Sequence, residues 1–252
     1  MSDKKLNGKI ALITGASKGL GRAMAIALGA IGARLVLASR DVAQLEETKK
    51  SVEAVGGEAH VFRADVTDEA QVLQLEKDVA AQAGKIQILI NNAGINIRKP
   101  ITEFQLNEWN SVIDTNLTSV FLMCRSFVPH MKGTGYGRII NMTSIMSWVS
   151  LPERTAYSSS KAGLLGFTRA LALELAPEAI TVVGISPGPF ATEMNTPILQ
   201  DPVKNAQFVS KIPLGRWGKL EEIGQLAAFI CSEEAGFITG TDILIDGGWC
   251  AQ

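Results

Sequence analysis

The sequence predicts an α/β fold built on a parallel sheet with helices on both faces. Three observations carry that prediction. Short apolar runs rich in β-branched residues alternate with longer amphipathic stretches along the whole chain. The runs are continuously apolar rather than alternating with polar residues, as expected of strands covered on both sides. A glycine-rich turn joins the first run to the first amphipathic stretch, where such folds bend from strand into crossover helix.

The first strand is predicted at residues 9–14 (KIALIT) and the helix after it at 21–31. A second strand at 34–39 (RLVLAS) leads to a helix at 42–55 with its charges on one face. A third strand covers 58–63, followed by a helix at 69–83. The fourth strand is 86–90 (IQILI), and helical patterns follow at 107–114 and 118–131. RIINM at 138–142 reads as a fifth strand, and a long helix spans 157–176. A sixth strand at 180–185, a helix at 220–231 and a short strand at 241–245 (TDILI) complete a sheet of about seven strands. No linker, repeat or low-complexity tract divides residues 1–252, so one domain is expected. The least regular segment, 187–218, contains five prolines. It is long for a plain connection, and a mobile substrate flap is expected around 189–216.

A formal charge of −1 excludes bulk attraction to nucleic acid or an anionic membrane surface. Cys124, Cys231 and Cys250 are scattered and form no CxxC pair, which disfavours a disulfide framework or a zinc site. HExxH and Cys/His ligand spacings are missing, so no metal is expected. The first residues carry charges with no apolar stretch behind them, and no long apolar run could span a bilayer. A cytoplasmic setting is therefore expected. Asn-x-Thr patterns at Asn116 and Asn141 are taken as chance.

Thr14-Gly15-Ala16-Ser17-Lys18-Gly19-Leu20-Gly21 lies between the first strand and its helix. Glycines there let the backbone turn tightly and let a pyrophosphate approach free N–H groups at a helix start. No Gly-Lys-[Ser/Thr] follows, so it is not a P-loop. The end of the second strand should meet the adenosine ribose. Ser39-Arg40 stands there, with Asp41 one step beyond. A guanidinium suits a 2′-phosphate, and Lys18 adds a second cation, so NADP(H) is expected ahead of NAD(H). The alternative is two surface cations, with Asp41 turned in to hold the ribose.

Tyr157-Ser158-Ser159-Ser160-Lys161 sets a phenol four positions before an ammonium, which places both on one helix face. A free phenol titrates near pH 10. A close cation in a partly dry cleft, helped by the positive nicotinamide of the cofactor, should draw it down toward neutrality and make it an acid/base group.

With the glycine loop and this pair together, the chain resembles the classical short-chain dehydrogenase/reductases over nearly its full length. The matching motifs are Thr14 to Gly21, Asn91-Asn92-Ala93-Gly94, Asn116 in DTNLTSVF, Ser144 after RIINMT, Tyr157 with Lys161, and Pro187-Gly188 followed by Thr192. The resemblance implies a doubly wound Rossmann fold and oxidoreduction of a ketone or secondary alcohol. It implies Asn116, Ser144, Tyr157 and Lys161 as catalytic residues. It also implies a cofactor path of Gly15, Ser17, Lys18, Gly19, Leu20, Gly21, Ser39, Arg40, Asp65, Val66, Asn92, Ala93, Gly94, Tyr157, Lys161, Pro187, Gly188 and Thr192. The alternative for Asp65 is a cap or turn residue. Gln87 stands where relatives often have Asp, and Val182-Val183 where many read Val-Asn. His60 and His130 have no partner pattern and read as structural.

Arg98, Lys99, Glu153 and Arg154 lie near the site motifs, and an arginine can clamp a carboxylate. Gly94-Ile95-x-x-Arg98 and Arg216-Trp217-Gly218 resemble stretches of gluconate 5-dehydrogenase and related sugar-acid dehydrogenases. Solvated loop charges are the plainer reading of these residues. A 3-oxoacyl-carrier-protein reductase is the rival, although Pro129 and Glu178 occupy places where arginines tend to dock the acidic carrier. A broad ketone reductase and a non-catalytic NADP-binding regulator complete the alternatives. By resemblance, the segment ITGTDILIDGGWC belongs to a subunit interface, most simply of a homotetramer; an ordinary closing strand in a monomer is the alternative.

Overall fold

The computed structural model describes residues 4–252 of the chain. In order it contains β1 (Ile10–Thr14), α1 (Gly19–Ala30), β2 (Arg34–Ser39), α2 (Val42–Ala54), β3 (Glu58–Arg63), α3 (Glu69–Gln82) and β4 (Ile88–Asn91). Then follow α4 (Leu106–Ile113), α5 (Ser119–Met131), β5 (Gly137–Met142), α6 (Thr155–Leu175) and β6 (Ile180–Pro187). The chain closes with α7 (Thr196–Leu199), α8 (Pro202–Val209), α9 (Leu220–Cys231) and β7 (Asp242–Ile245). All seven strands are parallel, in the order β3-β2-β1-β4-β5-β6-β7.

The continuous apolar strands work because each feeds two cores. Ala11 and Ile13 of β1 face a layer that holds Met24 and Leu28 of α1, Leu45 of α2 and Ile223 of α9. Ile10 and Leu12 face the opposite layer, with Val72 of α3, Phe127 of α5 and Leu164 of α6. Each fully buried Leu, Ile or Phe contributes roughly 1.5–3 kcal/mol, so the sheet faces dominate the stability of the single domain. Gly224 brings α9 against α1: a Cβ there would meet the Ala23 carbonyl oxygen at 2.8 Å.

Three differences from the sequence expectation have physical causes. The fourth strand begins at Ile88 rather than 86, because the Ile86 N–H donates to His130 Nδ1 (3.3 Å) instead of entering the sheet. The two helices expected around 107–131 are one rod with a wide π-helical turn at Asp114–Thr118. The 187–218 segment is not plain loop but contains α7 and α8. Asp201 starts α8 by accepting from Val203 N and Lys204 N, with Pro202 in the first turn. No residue of α8 is buried, so no apolar stripe announces it.

The remaining expectations on supporting residues resolve simply. Gln87 Oε1 accepts from Ile10 N (2.9 Å) and ties the starts of β1 and β4. His130 accepts at Nδ1, so its Nε2–H donates to Glu76 (2.6 Å). His60 pairs with Glu58. Asn116 and Asn141 are buried and cannot serve as glycan acceptors. Among the described residues all three cysteines are free, no cluster could hold a metal ion, and no helix is long and apolar enough to cross a membrane.

Candidate active site

The chain leaves β1 for β2 on one side and later crosses back to β4 on the other. A crevice therefore opens at the strand ends between β1 and β4, where the order reverses. There it widens into a cleft of about 760 Å³. Thr14 and Asn92 fasten its base. The Thr14 hydroxyl oxygen accepts from Asn92 N (3.0 Å) and Ala93 N (3.1 Å), and Asn92 Nδ2 donates to Thr14 O (2.9 Å) and Gly15 O (3.0 Å).

The glycine turn is shaped by what a side chain would strike. Gly15 has φ of +61°, and a Cβ there would come 2.9 Å from Ala93 Cα. At Gly21 a Cβ would be 2.4 Å from the Gly15 carbonyl oxygen, so α1 can press against the turn only with glycine. Thr48 of α2 supports the turn from behind by donating to Ala16 O (3.0 Å). The result is an open cradle of backbone at a helix start, which fits a pyrophosphate.

At one end of the cleft, Arg40 and Asp65 lie 3.5 Å apart. Asp65 also accepts from Thr67 N (3.0 Å) and Thr67 Oγ1 (2.7 Å). Partial burial opposes ionisation of Asp65, but the Thr67 bonds and the Arg40 guanidinium outweigh it and hold the carboxyl below its usual range. It is thus a turn residue that also borders the cleft. Asp41 caps α2 by accepting from Gln44 N (3.0 Å) and also lines the cleft. Lys18 faces Glu193 at 3.6 Å, so the glycine turn touches the segment after β6.

At the other end, α6 brings Tyr157 and Lys161 beside Ser144, which follows β5. The Ser144 oxygen accepts from Met146 N (3.1 Å) and starts a single 3-10 turn, Ile145–Ser147. Lys161 is buried, and its Nζ donates to Met142 O (2.5 Å) while standing 5.7 Å from the Tyr157 ring centre. Burial pushes the lysine down to about 8. Burial pushes the Tyr157 phenol up, against a hydrogen bond with Ser144 and the charges of Arg154 and Arg98. In the structure desolvation outweighs the favourable charges, which come from two arginines.

Of the expected residues, Asn116 and Gly21 do not line the cleft; the others do. Gly21 acts from below, as described. Asn116 lies in the π-helical turn with both amide hydrogens and one Oδ1 lone pair engaged. Its Oδ1 accepts from Ile95 N (2.8 Å), and its Nδ2 donates to Ile95 O (2.9 Å) and Ser160 Oγ (3.0 Å). Ser160 in turn donates to Tyr157 O (2.7 Å). The serine run between Tyr157 and Lys161 thus contains a buried tie that composition alone does not reveal.

Further lining residues were not singled out from sequence: Asn96, Met146, Leu151, Asn195, Ile198, Phe208 and Trp249. Phe208 packs between Trp217 (centroids 5.0 Å, 14° between planes) and Trp249 (5.2 Å, 38°). Arg98 donates to Asn195 Oδ1 (3.3 Å). Burial, and then the charge of Arg98, push the Arg154 guanidinium down, so two like charges are held near one another beside Tyr157. Glu153 sets the entry to α6 with φ of 64°, a left-handed bend that costs a non-glycine residue about 1–2 kcal/mol.

Comparison with known proteins adds kinship to this geometry. A family model described as enoyl-(acyl carrier protein) reductase matches residues 15–250. The gluconate 5-dehydrogenase of Gluconobacter oxydans is 34% identical over 243 residues, covering 96% of this chain and 95% of that protein. The 3-oxoacyl-[acyl-carrier-protein] reductase of Thermotoga maritima is 35% identical over 244 residues, covering 97% and 98%. A crystal structure of gluconate 5-dehydrogenase from Burkholderia cenocepacia in complex with NADP and tartrate superposes with a TM-score of 0.94 at 31% identity, covering 99% of this chain and 98% of that one.

Proposed function

The chain belongs to the short-chain dehydrogenase/reductase family, and on that premise we propose that it interconverts a ketone and a secondary alcohol with NADP(H), on a carboxylate-bearing substrate of the sugar-acid class. Gly15, Ser17, Gly19, Leu20 and Gly21 form the pyrophosphate cradle. Arg40, Ser39 and Lys18 take the 2′-phosphate, and Asp65 and Val66 border the adenine. Asn92, Ala93, Gly94, Pro187, Gly188 and Thr192 line the nicotinamide half. When bound, the nicotinamide supplies or accepts the hydride.

The protein's own residues handle the proton and the alignment. Tyr157 donates its phenol proton to the ketone oxygen during reduction and takes it from the alcohol during oxidation. Ser144 accepts from Met146 N and is hydrogen-bonded to Tyr157, so its hydroxyl stands beside the phenol and can turn to the same oxygen when substrate binds. Lys161 holds a cation at the end of β5 beside that phenol and reaches the nicotinamide ribose. Asn116 holds α6 against the loop after β4 through Ser160 and Ile95, and supports a water in the proton path. The segment 189–216 serves as a flap over the substrate. As part of the same proposal, residues 238–250 belong to a subunit interface of a homotetramer; sedimentation showing only monomer would remove it.

The observation that carries the substrate class is that Arg98 and Arg154 line the same cleft as Tyr157, two guanidiniums of the kind that bind a carboxylate. Tartrate, a hydroxy acid, in the related crystal complex supports the same class. A second reading, a 3-oxoacyl-carrier-protein reductase, is favoured by the Thermotoga relative. The decisive experiment compares 5-ketogluconate, acetoacetyl thioesters and simple aryl ketones with NADPH and NADH. Preference for the thioester supports the second reading. Saturable NADPH binding with no turnover on any ketone would make the protein a cofactor-binding regulator instead.

A further inference from the structure

The carboxylate of Asp242 lies against the loop that carries Ser144, and the chemistry proposed above does not use it. It projects from the first residue of β7 across Gly184 of β6. A Cβ at position 184 would stand 2.1 Å from Asp242 Oδ1, so the slot exists only because residue 184 is glycine. Three donors converge on the carboxylate: Thr143 Oγ1 on Oδ1 (2.5 Å), with Ser186 Oγ (2.5 Å) and Trp148 Nε1 (2.8 Å) on Oδ2.

These partners bracket one short stretch of chain. Thr143 immediately precedes Ser144, and Trp148 closes the 3-10 turn that follows it. The third, Ser186, reaches the same stretch from β6, with its Oγ 2.9 Å from the Ser144 carbonyl oxygen. Thr143 Oγ1 likewise lies 2.6 Å from Ile185 O. Each hydroxyl has a single proton. A carboxylate, with two strong acceptor oxygens, decides where those protons go.

We propose that Asp242 is a positioning residue for Ser144, fixing the loop at both ends so that the Ser144 hydroxyl is held where the reacting oxygen must sit. The proposal rests on the role given to Ser144 above. A plain strut between β7 and the neighbouring strands would share the contacts but not the coupling to turnover.

The test uses the full chain with Asp242→Ala and Asp242→Asn. An asparagine can accept from Ser186 and Trp148 with its oxygen and donate to Thr143 with its amide, while Thr143 turns its proton to Ile185 O. Misplacing a reacting group by about 1 Å costs on the order of 100-fold. Asp242→Ala is therefore expected to lower kcat by about 10- to 100-fold with KM for NADPH unchanged, and Asp242→Asn to recover most of it. In a Ser144→Ala background the Asp242→Ala change should cost little further, because the pair acts as a unit. Hydrogen exchange over residues 143–150 should rise in Asp242→Ala and fall back in Asp242→Asn. Ser186→Ala, which leaves the carboxylate in place, should reproduce part of both effects even where Asp242→Ala does not fold. Unchanged exchange, or a full additional loss of kcat on top of Ser144→Ala, overturns the proposal. Raised exchange together with an undiminished kcat in Ser144→Ala would instead overturn the catalytic role of Ser144 while supporting the anchoring of its loop.

Discussion

Lys161 Nζ donates to the carbonyl oxygen of Met142, so the ammonium four positions after Tyr157 is directed at the end of β5. The two side chains share a helix face, and the ammonium stands 5.7 Å from the phenol ring centre. The consequences can be measured.

Burial holds Lys161 at about 8, whereas an unfolded lysine titrates near 10.4. Between those values the unfolded chain binds the extra proton, so this group makes stability rise with pH through that window and fall to its full penalty below it. Lys161→Met should raise the unfolding free energy at pH 7 by up to about 3 kcal/mol and flatten that rise, while turnover is lost. Denaturant melts at pH 7 and pH 10 measure both, and a wild type with no slope between them would contradict the burial penalty.

Tyr157→Phe should lower kcat by roughly 100- to 10,000-fold, the usual worth of a positioned acid/base group, with NADPH still bound. Fluorescence titration and steady-state rates separate the two effects. An active phenylalanine variant would remove the tyrosine from the chemistry.

The charges of Arg154 and Arg98 favour the Tyr157 phenolate. Removing one makes the phenolate harder to form, so Arg154→Met should move the alkaline rise of alcohol oxidation to higher pH. The same variant should raise KM for acidic substrates and spare neutral ketones. A pH profile that stays in place would show that the guanidinium does not reach the phenol.

Arg40→Ala should weaken NADPH by roughly 10- to 100-fold, the worth of about 1.5–3 kcal/mol for a charged hydrogen bond, with NADH little changed. Equal losses for both cofactors would assign Arg40 to the Asp65 turn instead.

The Lys18–Glu193 pair spans 3.6 Å, and both side chains are more than half exposed. Such a pair contributes about 0–1 kcal/mol, so Glu193→Gln should leave the melting temperature unchanged. It should tighten NADPH binding a few-fold by releasing Lys18 to the phosphate. Weaker binding would mean that Glu193 helps close the cleft.

Much of this was legible in the sequence because the sheet is buried on both faces: the runs around Leu12, Val36, Leu89 and Val182 are apolar without interruption. The glycine turn was legible because Gly15 and Gly21 answer to backbone contacts that no other residue permits. Helix α8 escaped notice because its signal lies in a cap, Asp201, and a proline rather than in a stripe. The upward push on the Tyr157 phenol was not legible because spacing places two groups on one face but says nothing of solvent, and desolvation sets the sign in the structure. Ser160 and Asp242 were illegible for another reason. Their partners, such as Asn116 and Trp148, are brought to them by tertiary packing and not by neighbours in sequence.

The sandwich of Phe208 between Trp217 and Trp249 equips the protein with an optical gauge of its own. Indole emission overlaps the absorption of a reduced pyridine ring, and Trp249 looks onto the same cavity. Dimming of that emission would follow arrival of the dinucleotide, and a change in its colour would follow separation of the rings. Both could be recorded in a stopped-flow mixer on the unlabelled protein.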